Sequence, residues 1–315
     1  MILIVTNRED LTADFVIMEM QKRGLSYIRF NTEDFPLNAV STVGEDYATL
    51  RLEKSSKEIS LDNVESVWYR RPVAPGFTND FEPGSKTFIA RESSDFLLGI
   101  WRGLKCRWIN HPDNLRLASG KVEQLSRMRK MGLRVPRTVI TNDPKAASEF
   151  YSANCGKVIA KPVSTNHGEL DGHEFILYTN LVSNQSLALL DTVRYSPVIF
   201  QERVEKISDI RVTVVGSQVF ATEIHSQSLA SAQLDWRHDA LNLRHTPYKL
   251  PDHIEDQCLR LVRSYGLIFG TIDLVRTIAD YVFLELNPNG QWGWIEIMTG
   301  QPISKQLIAM LSGGK

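Results

Sequence analysis

Short apolar runs of strand length alternate with helical periodicity through the first third of the chain. Ile2 to Thr6 is a continuous apolar run, the pattern of a strand buried on both faces. From about Thr12 to Arg23 the apolar positions Phe15, Val16, Met18 and Met20 predict a helix, with Gly24 as its C-terminal stop. Tyr27 to Phe30 reads as the next strand, so the opening predicts a β-α-β unit in a parallel sheet. No GxGxxG follows the first strand, so a dinucleotide fingerprint is missing. Residues 47–53 and 57–61 predict a short meander, and Val64 to Tyr69 a strand ending at Arg70-Arg71-Pro72. A helix is expected over roughly 85–103, and Trp108 to Pro112 marks an exit strand and a boundary.

Past that boundary one helix is expected from Asp113 to about Met131, with Lys121 near its middle and Gly132 as its stop. Val135 to Ile140 predicts a strand. Asn142-Asp143-Pro144 suits a helix start, because Asn or Asp can accept a free first-turn N–H and Pro fits where no N–H is needed. That helix should end near Gly156. Lys157 to Pro162 predicts a strand, 164–172 a polar loop, Glu174 to Thr179 a strand and 183–192 a helix. The run Asp209 to Ile224, broken at Gly216-Ser217, predicts a β-hairpin. A polar insert over 225–249 precedes a helix at about 252–265, a second hairpin, and a closing helix from Pro302 to Leu311.

The second hairpin carries the candidate chemistry. Phe283-Leu284-Glu285-Leu286-Asn287-Pro288-Asn289-Gly290 places an acid and an amide two residues apart, hence on one face of a strand. Thr271-Ile272-Asp273-Leu274-Val275 supplies a second carboxylate. If the loop is Ile278-Ala279-Asp280, Asp273 lies opposite Glu285 and three oxygen donors converge, a set that suits Mg²⁺. A one-residue slip would send Asp273 to the other face. Taken alone, the same residues also suit an ordinary amphipathic surface hairpin.

At 315 residues the chain is long for one domain and suits two or three α/β lobes. A formal charge of −1 provides no global attraction to nucleic acid or an anionic membrane. No apolar run has the length to cross a bilayer. Cys106, Cys155 and Cys258 are scattered and odd in number, which points to reduced thiols in a cytoplasmic protein and away from a zinc site.

Other candidates are weak one by one. Lys121 and Lys161 read equally as surface charges, Gln201-Glu202 as an edge-strand device, and Arg211 and Arg237 as members of ion pairs. Their order, with the acidic hairpin last, resembles the ATP-grasp superfamily of carboxylate–amine and carboxylate–hydroxyl ligases over roughly residues 113–300. That resemblance implies an ATP-grasp fold of α+β lobes behind an N-terminal parallel α/β domain: 1–112 preceding domain, 113–196 small central lobe, 197–315 C-terminal lobe with the metal site. It implies that Lys121 and Lys161 reach the nucleotide phosphates and that the loop 164–172 covers them. Glu202 and Arg203 match the hinge that reads adenine, and Asp209 the acidic position near the ribose. Arg211 matches a phosphate or acyl-phosphate contact, Arg237 the arginine at the reacting phosphate, and Asp273, Glu285 and Asn287 the Mg²⁺ ligands. Relatives resembling the ribosomal-protein glutamate ligase have Arg-Ser-Asn where this chain has Arg237-His238-Asp239, which leaves the roles of His238 and Asp239 open.

Three details, Val67-Trp68-Tyr69-Arg70-Arg71-Pro72, Asp235-Trp236-Arg237 and Leu286-Asn287-Pro288-Asn289-Gly290-Gln291-Trp292, resemble the microviridin-type peptide ligases, the graspetide macrocyclases. The implied activity uses ATP and Mg²⁺ to activate a side-chain carboxylate of a ribosomal precursor peptide, which a Ser or Thr hydroxyl or a Lys amine then attacks. The implied partner is that peptide with its leader, bound by hairpin 212–224 or the small lobe, and homodimers are an expected assembly. Two other readings stay open: a ligase that adds amino acids to a peptide or small carboxylate, and a non-catalytic ATP-binding module. Trp68, Tyr69 and Trp292 suit core packing at least as well as substrate contact.

Overall fold

The computed structural model describes residues 1–53, 58–77, 81–164, 167–170 and 173–314. The first segment holds β1 (Ile2–Thr6), α1 (Leu11–Lys22), β2 (Tyr27–Asn31), β3 (Ala39–Val43), β4 (Ala48–Leu52), β5 (Ile59–Ser60), β6 (Ser66–Tyr69), α2 (Pro83–Gly103) and β7 (Arg107–Ile109). The middle holds α3 (Pro112–Ala118), α4 (Lys121–Lys130), β8 (Thr138–Thr141), α5 (Pro144–Ala153), β9 (Val158–Pro162), β10 (His167–Leu170), β11 (His173–Ile176), β12 (Asn180–Leu181), α6 (Asn184–Ala188) and β13 (Val198–Glu202). The remainder holds β14 (Ser208–Val215), β15 (Gln218–Ile224), β16 (His245–Tyr248), α7 (Asp252–Ser264), β17 (Phe269–Arg276), β18 (Tyr281–Asn287), α8 (Gly293–Thr299) and α9 (Ile303–Ser312).

The expected β-α-β opening forms a four-stranded parallel sheet of order β2-β1-β6-β7. Strand β1 is buried along its whole length, as an apolar run without alternation requires. The meander has one strand more than the pattern predicts, β3, whose alternation is weak because most of its side chains are exposed or half-buried. A second sheet, β12-β9-β13-β8, is antiparallel, and a third, β16-β15-β14-β17-β18, is antiparallel and longer.

Three expectations are corrected. The helix over 113–131 is two helices, because Ser119 ends α3 and Gly120 caps α4; Lys121 therefore opens a helix instead of sitting mid-helix. The loop 164–172 falls partly outside the described residues, and its described part, β10, pairs antiparallel with β11. A short helix, α8, follows Trp292 where no element is expected, since its seven residues offer too little periodicity to read.

Apolar packing joins the ends of the chain. Ile2, Ile4, Val16, Met20 and Trp68 share one core with Val215, Phe269, Trp292, Ile303 and Leu307. Trp68 and Trp292 are thus core residues. The sheet containing β9 and β13 has a core of its own, built on Ala147, Val158, Val182, Val193 and Phe200. Helices α4 and α7 cover the face of the long sheet formed by Ile210, Val212, Val214, Ile272 and Leu274. Among the described residues no helix is long and apolar enough to cross a membrane.

Candidate active site

The hairpin β17–β18 reverses at Ile278 and Ala279, with the Thr277 N–H donating to the Asp280 carbonyl at 2.9 Å. Arg276 pairs with Tyr281, Val275 with Val282 and Leu274 with Phe283. Continued unchanged, that register would set Asp273 opposite Leu284 and turn it from Glu285. A β-bulge intervenes: Leu284 is the extra residue, and Asp273 pairs with Glu285. The expected pairing is present, but a tighter turn plus a bulge produces it, not the three-residue loop.

The three hairpin side chains meet. Asn287 Nδ2 donates to Asp273 Oδ2 at 2.9 Å and to Glu285 Oε1 at 3.0 Å. Rotating that amide half a turn replaces its donor with an oxygen beside the two carboxylates. The trio is therefore a fitting oxygen set for Mg²⁺, which takes few protein ligands and keeps water and phosphate in its shell. Among the described residues no group of three or more His, Cys, Asp or Glu is placed to hold a metal ion; the trio itself has two carboxylates and an amide.

Cations surround the trio. Lys121 Nζ lies 3.5 Å from Glu285 Oε2, brought there from the first residue of α4. Lys161 projects from β9 into the same small space, lined also by Gln124, Gln201, Leu284 and Glu285. Burial alone would push the Glu285 carboxyl up, but the Lys121 and Lys161 charges, the Asn287 N–H and Arg237 outweigh it and hold it at about 2. Burial pushes the Lys161 ammonium down; Glu285 opposes that, while Lys121 adds to it.

Arg211, on β14, grips Asp273 with Nη1 at 2.7 Å from each carboxylate oxygen, and its Nη2 donates to the Gln291 carbonyl at 3.2 Å. Arg237 donates through Nε and Nη2 to Asp235 at 2.8 and 2.5 Å. Those bonds, with the fields of Glu285 and Asp273, raise the Arg237 pKa further above its ordinary value. Asp235 also accepts from the Thr179 N–H at 3.2 Å, and His238 stacks on Tyr178 with ring centroids 3.8 Å apart. The 235–238 segment therefore holds the strand connection ahead of β12 while it presents Arg237. Asp239 faces Ser231 and Asn242, at 2.9 and 2.6 Å.

Beside the trio a cavity of about 180 Å³ opens between the β12-β9-β13-β8 sheet and the long five-stranded sheet. Lys161, Glu202, Arg203 and Lys206 supply polar walls, and Ile159, Val204, Leu234, Val275 and Leu284 apolar ones. Glu202 is tied at the rim by Arg137, whose N–H and Nε donate at 3.0 and 2.7 Å. Asp209 does not reach the wall. Burial pushes its carboxyl up, against Lys206 Nζ at 2.6 Å and Ser226 Oγ at 2.5 Å. Lys206 occupies the wall in its place, a residue that sequence reasoning passed over because a lysine ahead of a strand reads as ordinary surface.

The match to known proteins follows this layout. Residues 118–311 fit the model of the RimK-like ATP-grasp domain. The chain belongs to the RimK-like ATP-grasp family. Residues 1–116 fit the MvdD pre-ATP grasp domain. Among solved structures, the RimK-like chain is similar to the Chryseobacterium gregarium RiPP-associated ATP-grasp ligase in complex with ADP and a leader and core peptide. The two are 32% identical with a TM-score of 0.91, over 100% of this chain and 97% of that one. It is also similar to the macrocyclase MdnC of Microcystis aeruginosa, bound with precursor peptide MdnA, at 28% identity and TM-score 0.90 over the whole of both chains. A curated relative is the alpha-aminoadipate–LysW ligase LysX of Sulfurisphaera tokodaii, 27% identical over 195 residues, 60% of this chain and 65% of that one. The chain thus spans just under two thirds of the length of that relative.

Two further residues that shape the site were missed as such. Arg70, on the strand end of Trp68-Tyr69-Arg70-Arg71, is 1% exposed and inserts into the turn after β18. Its Nη1 donates to the Asn289 carbonyl at 2.8 Å and its Nη2 to Gln291 Oε1 at 2.5 Å. Burial lowers its pKa to about 10 despite Asp10. Gln124 is buried on α4, and its amide bonds the backbone of β18. Neither contact has a sequence signal, since each joins residues more than 160 positions apart.

Proposed function

We propose that the chain is an ATP- and Mg²⁺-dependent ligase that activates a side-chain carboxylate of a ribosomal precursor peptide and closes ω-ester or ω-amide rings. The supporting observation is the convergence of Lys121, Lys161 and Arg237 on Asp273, Glu285 and Asn287, next to a cleft between two sheets. Three lobes are proposed with it: 1–112, 113–196 and 197–315. Glu202 and Arg203 border the cleft where a purine edge would lie, and Lys161 where phosphates would.

A carboxylate is a poor electrophile because oxide is a poor leaving group. Transfer of the γ-phosphoryl group of ATP to it makes an acyl phosphate and ADP; the hydroxyl or amine then displaces phosphate. Phosphoryl transfer is catalysed mainly by position and charge neutralisation. Lys121 and Lys161 neutralise phosphate charge, and Arg237, kept protonated by Asp235, faces the transferred group. Asp273, Glu285 and Asn287 would hold Mg²⁺, which supplies charge neutralisation and a template for the phosphates. Arg211 orients Asp273 for that role. The separate core of the β9–β13 sheet suits its closure over the nucleotide, which would exclude water from the acyl phosphate.

The proposed partner is a peptide with a leader, in a cytoplasmic setting and with homodimers as a proposed assembly. The test is mass spectrometry of a candidate precursor incubated with the protein, ATP and Mg²⁺. Loss of one water per ring supports macrocyclisation. A mass gain of one amino-acid residue would replace it with amino-acid addition, the reading favoured by the likeness to the LysW ligase. ATP binding with neither change would leave a binding module.

A further inference from the structure

We propose that Gln124 is a positioning residue that holds the Mg²⁺-binding strand against the phosphate-binding lysine; this rests on the reading of Asp273, Glu285 and Asn287 as the metal-holding set. Strand β18 is the edge of its sheet, so the backbone groups facing away from β17 need partners. At Leu286, the residue between Glu285 and Asn287, both are taken by one side chain. The Leu286 N–H donates to Gln124 Oε1 at 3.0 Å, and Gln124 Nε2 donates to the Leu286 carbonyl at 2.7 Å. The same Nε2 donates to the Ala118 carbonyl at 2.5 Å, tying in the end of α3.

Position on the helix makes this more than edge satisfaction. Gln124 lies three residues after Lys121, on the same face of α4. Lys121 therefore reaches the Glu285 side chain while Gln124 fixes the backbone one residue further along. The amide pair sets how far Lys121 stands from Glu285, observed at 3.5 Å, and the direction in which Glu285 and Asn287 project. The Gln124 hydrogen bonds go to the backbone of Ala118 and Leu286 and to none of the three trio side chains, so it acts through Leu286 and not as a ligand. It also borders the small space between Lys121, Lys161 and Glu285, which a larger displacement of the helix would open to water.

The experiment measures ADP affinity by calorimetry, with and without Mg²⁺, alongside thermal denaturation. Variants are Gln124→Leu, Gln124→Glu and Met128→Ala. Gln124→Glu keeps the acceptor for the Leu286 N–H and loses both donations, and it serves if Gln124→Leu does not fold. Met128→Ala weakens the same helix through its apolar core contact alone. The Mg²⁺-dependent gain in ADP affinity should fall about tenfold in either Gln124 variant, the loss typical of removing a group that orients a metal ligand. Met128→Ala should lower Tm and leave the gain intact. If the Gln124 variants lower Tm but keep the gain, Gln124 is only structural and the proposal is overturned. It is overturned equally if Met128→Ala loses the gain as they do. A wild-type protein with no Mg²⁺-dependent gain would instead overturn the metal reading on which the proposal rests.

Discussion

Replacing Gly290 with Ala tests whether the turn after β18 sets the site. A Cβ at Gly290 would lie 1.7 Å from Thr271 Oγ1 and 2.8 Å from Arg211 Nη2. Rotating Thr271 removes the hydroxyl contact only by giving up its bond to the Asn287 carbonyl, and it still leaves the Thr271 Cβ 2.8 Å away. Thr271 is fully buried on β17, two residues before Asp273, and its hydroxyl donates to the Asn287 carbonyl at 3.1 Å. With Thr271 kept in the rotamer that bonds Asn287, the turn and the strand must separate by roughly 1.3 Å to lengthen the Oγ1 contact to 3.0 Å. Overpacking of this kind costs about 1–3 kcal/mol. Misplacing Asp273, Asn287 or Arg211 on the order of 1 Å costs about 100-fold in rate. Gly99, exposed on α2 with nothing within 4 Å of its added Cβ, is the comparison. There Ala should stabilise by about 0.5–1 kcal/mol through lower chain entropy. The assays are Tm and the rate of ATP-dependent product formation at saturating Mg²⁺. A Gly290→Ala protein with unchanged Tm and a rate within about twofold of wild type would refute the account of the turn.

Glu285→Ala should lower turnover about 100-fold or more while circular dichroism stays native, since the residue neutralises Lys121 and Lys161 and belongs to the proposed metal set. Retained turnover would remove it from that set. Lys161→Ala should raise the KM for ATP about 10–100-fold, the worth of a charge-assisted contact, and an unchanged KM would exclude Lys161 from the phosphates. Asp235 is held at about 2, below its ordinary 3.8, by Arg237 and two backbone N–H groups despite its burial. Its contribution, about 2 kcal/mol, is present above the unfolded carboxyl pKa and is lost as pH falls from there through about 2. Arg237→Leu should therefore narrow the stability difference from wild type as pH falls from 4 toward 2, read by denaturant unfolding; a difference constant over that window would count against the pair.

Pattern and composition carried the architecture far. The apolar run at Ile2, the Gly216 turn and the capped start at Pro144 all specify local structure through local physics, and each appears where expected. The acidic hairpin was legible too, because alternation in a strand puts Glu285 and Asn287 on one face whatever surrounds them. Its details were not. The turn residues, taken with strict pairing, point Asp273 at Leu284; only the bulge, held within the packed long sheet, restores Glu285. Lys121 read as a mid-helix charge because Ser119-Gly120 is a weak break in a polar stretch, and its meeting with Glu285 is decided by α4 docking on β18.

By itself, the sequence determined which side chains were available and the order in which the chain presents them. Tertiary packing decided which of them meet. Arg70 and Gln124 act on backbone groups far along the chain, Asp209 is sealed under Lys206, and Trp68 and Trp292 are spent on the core. The reason is physical: buried backbone and charged groups must find partners, and only the folded chain fixes which are within reach.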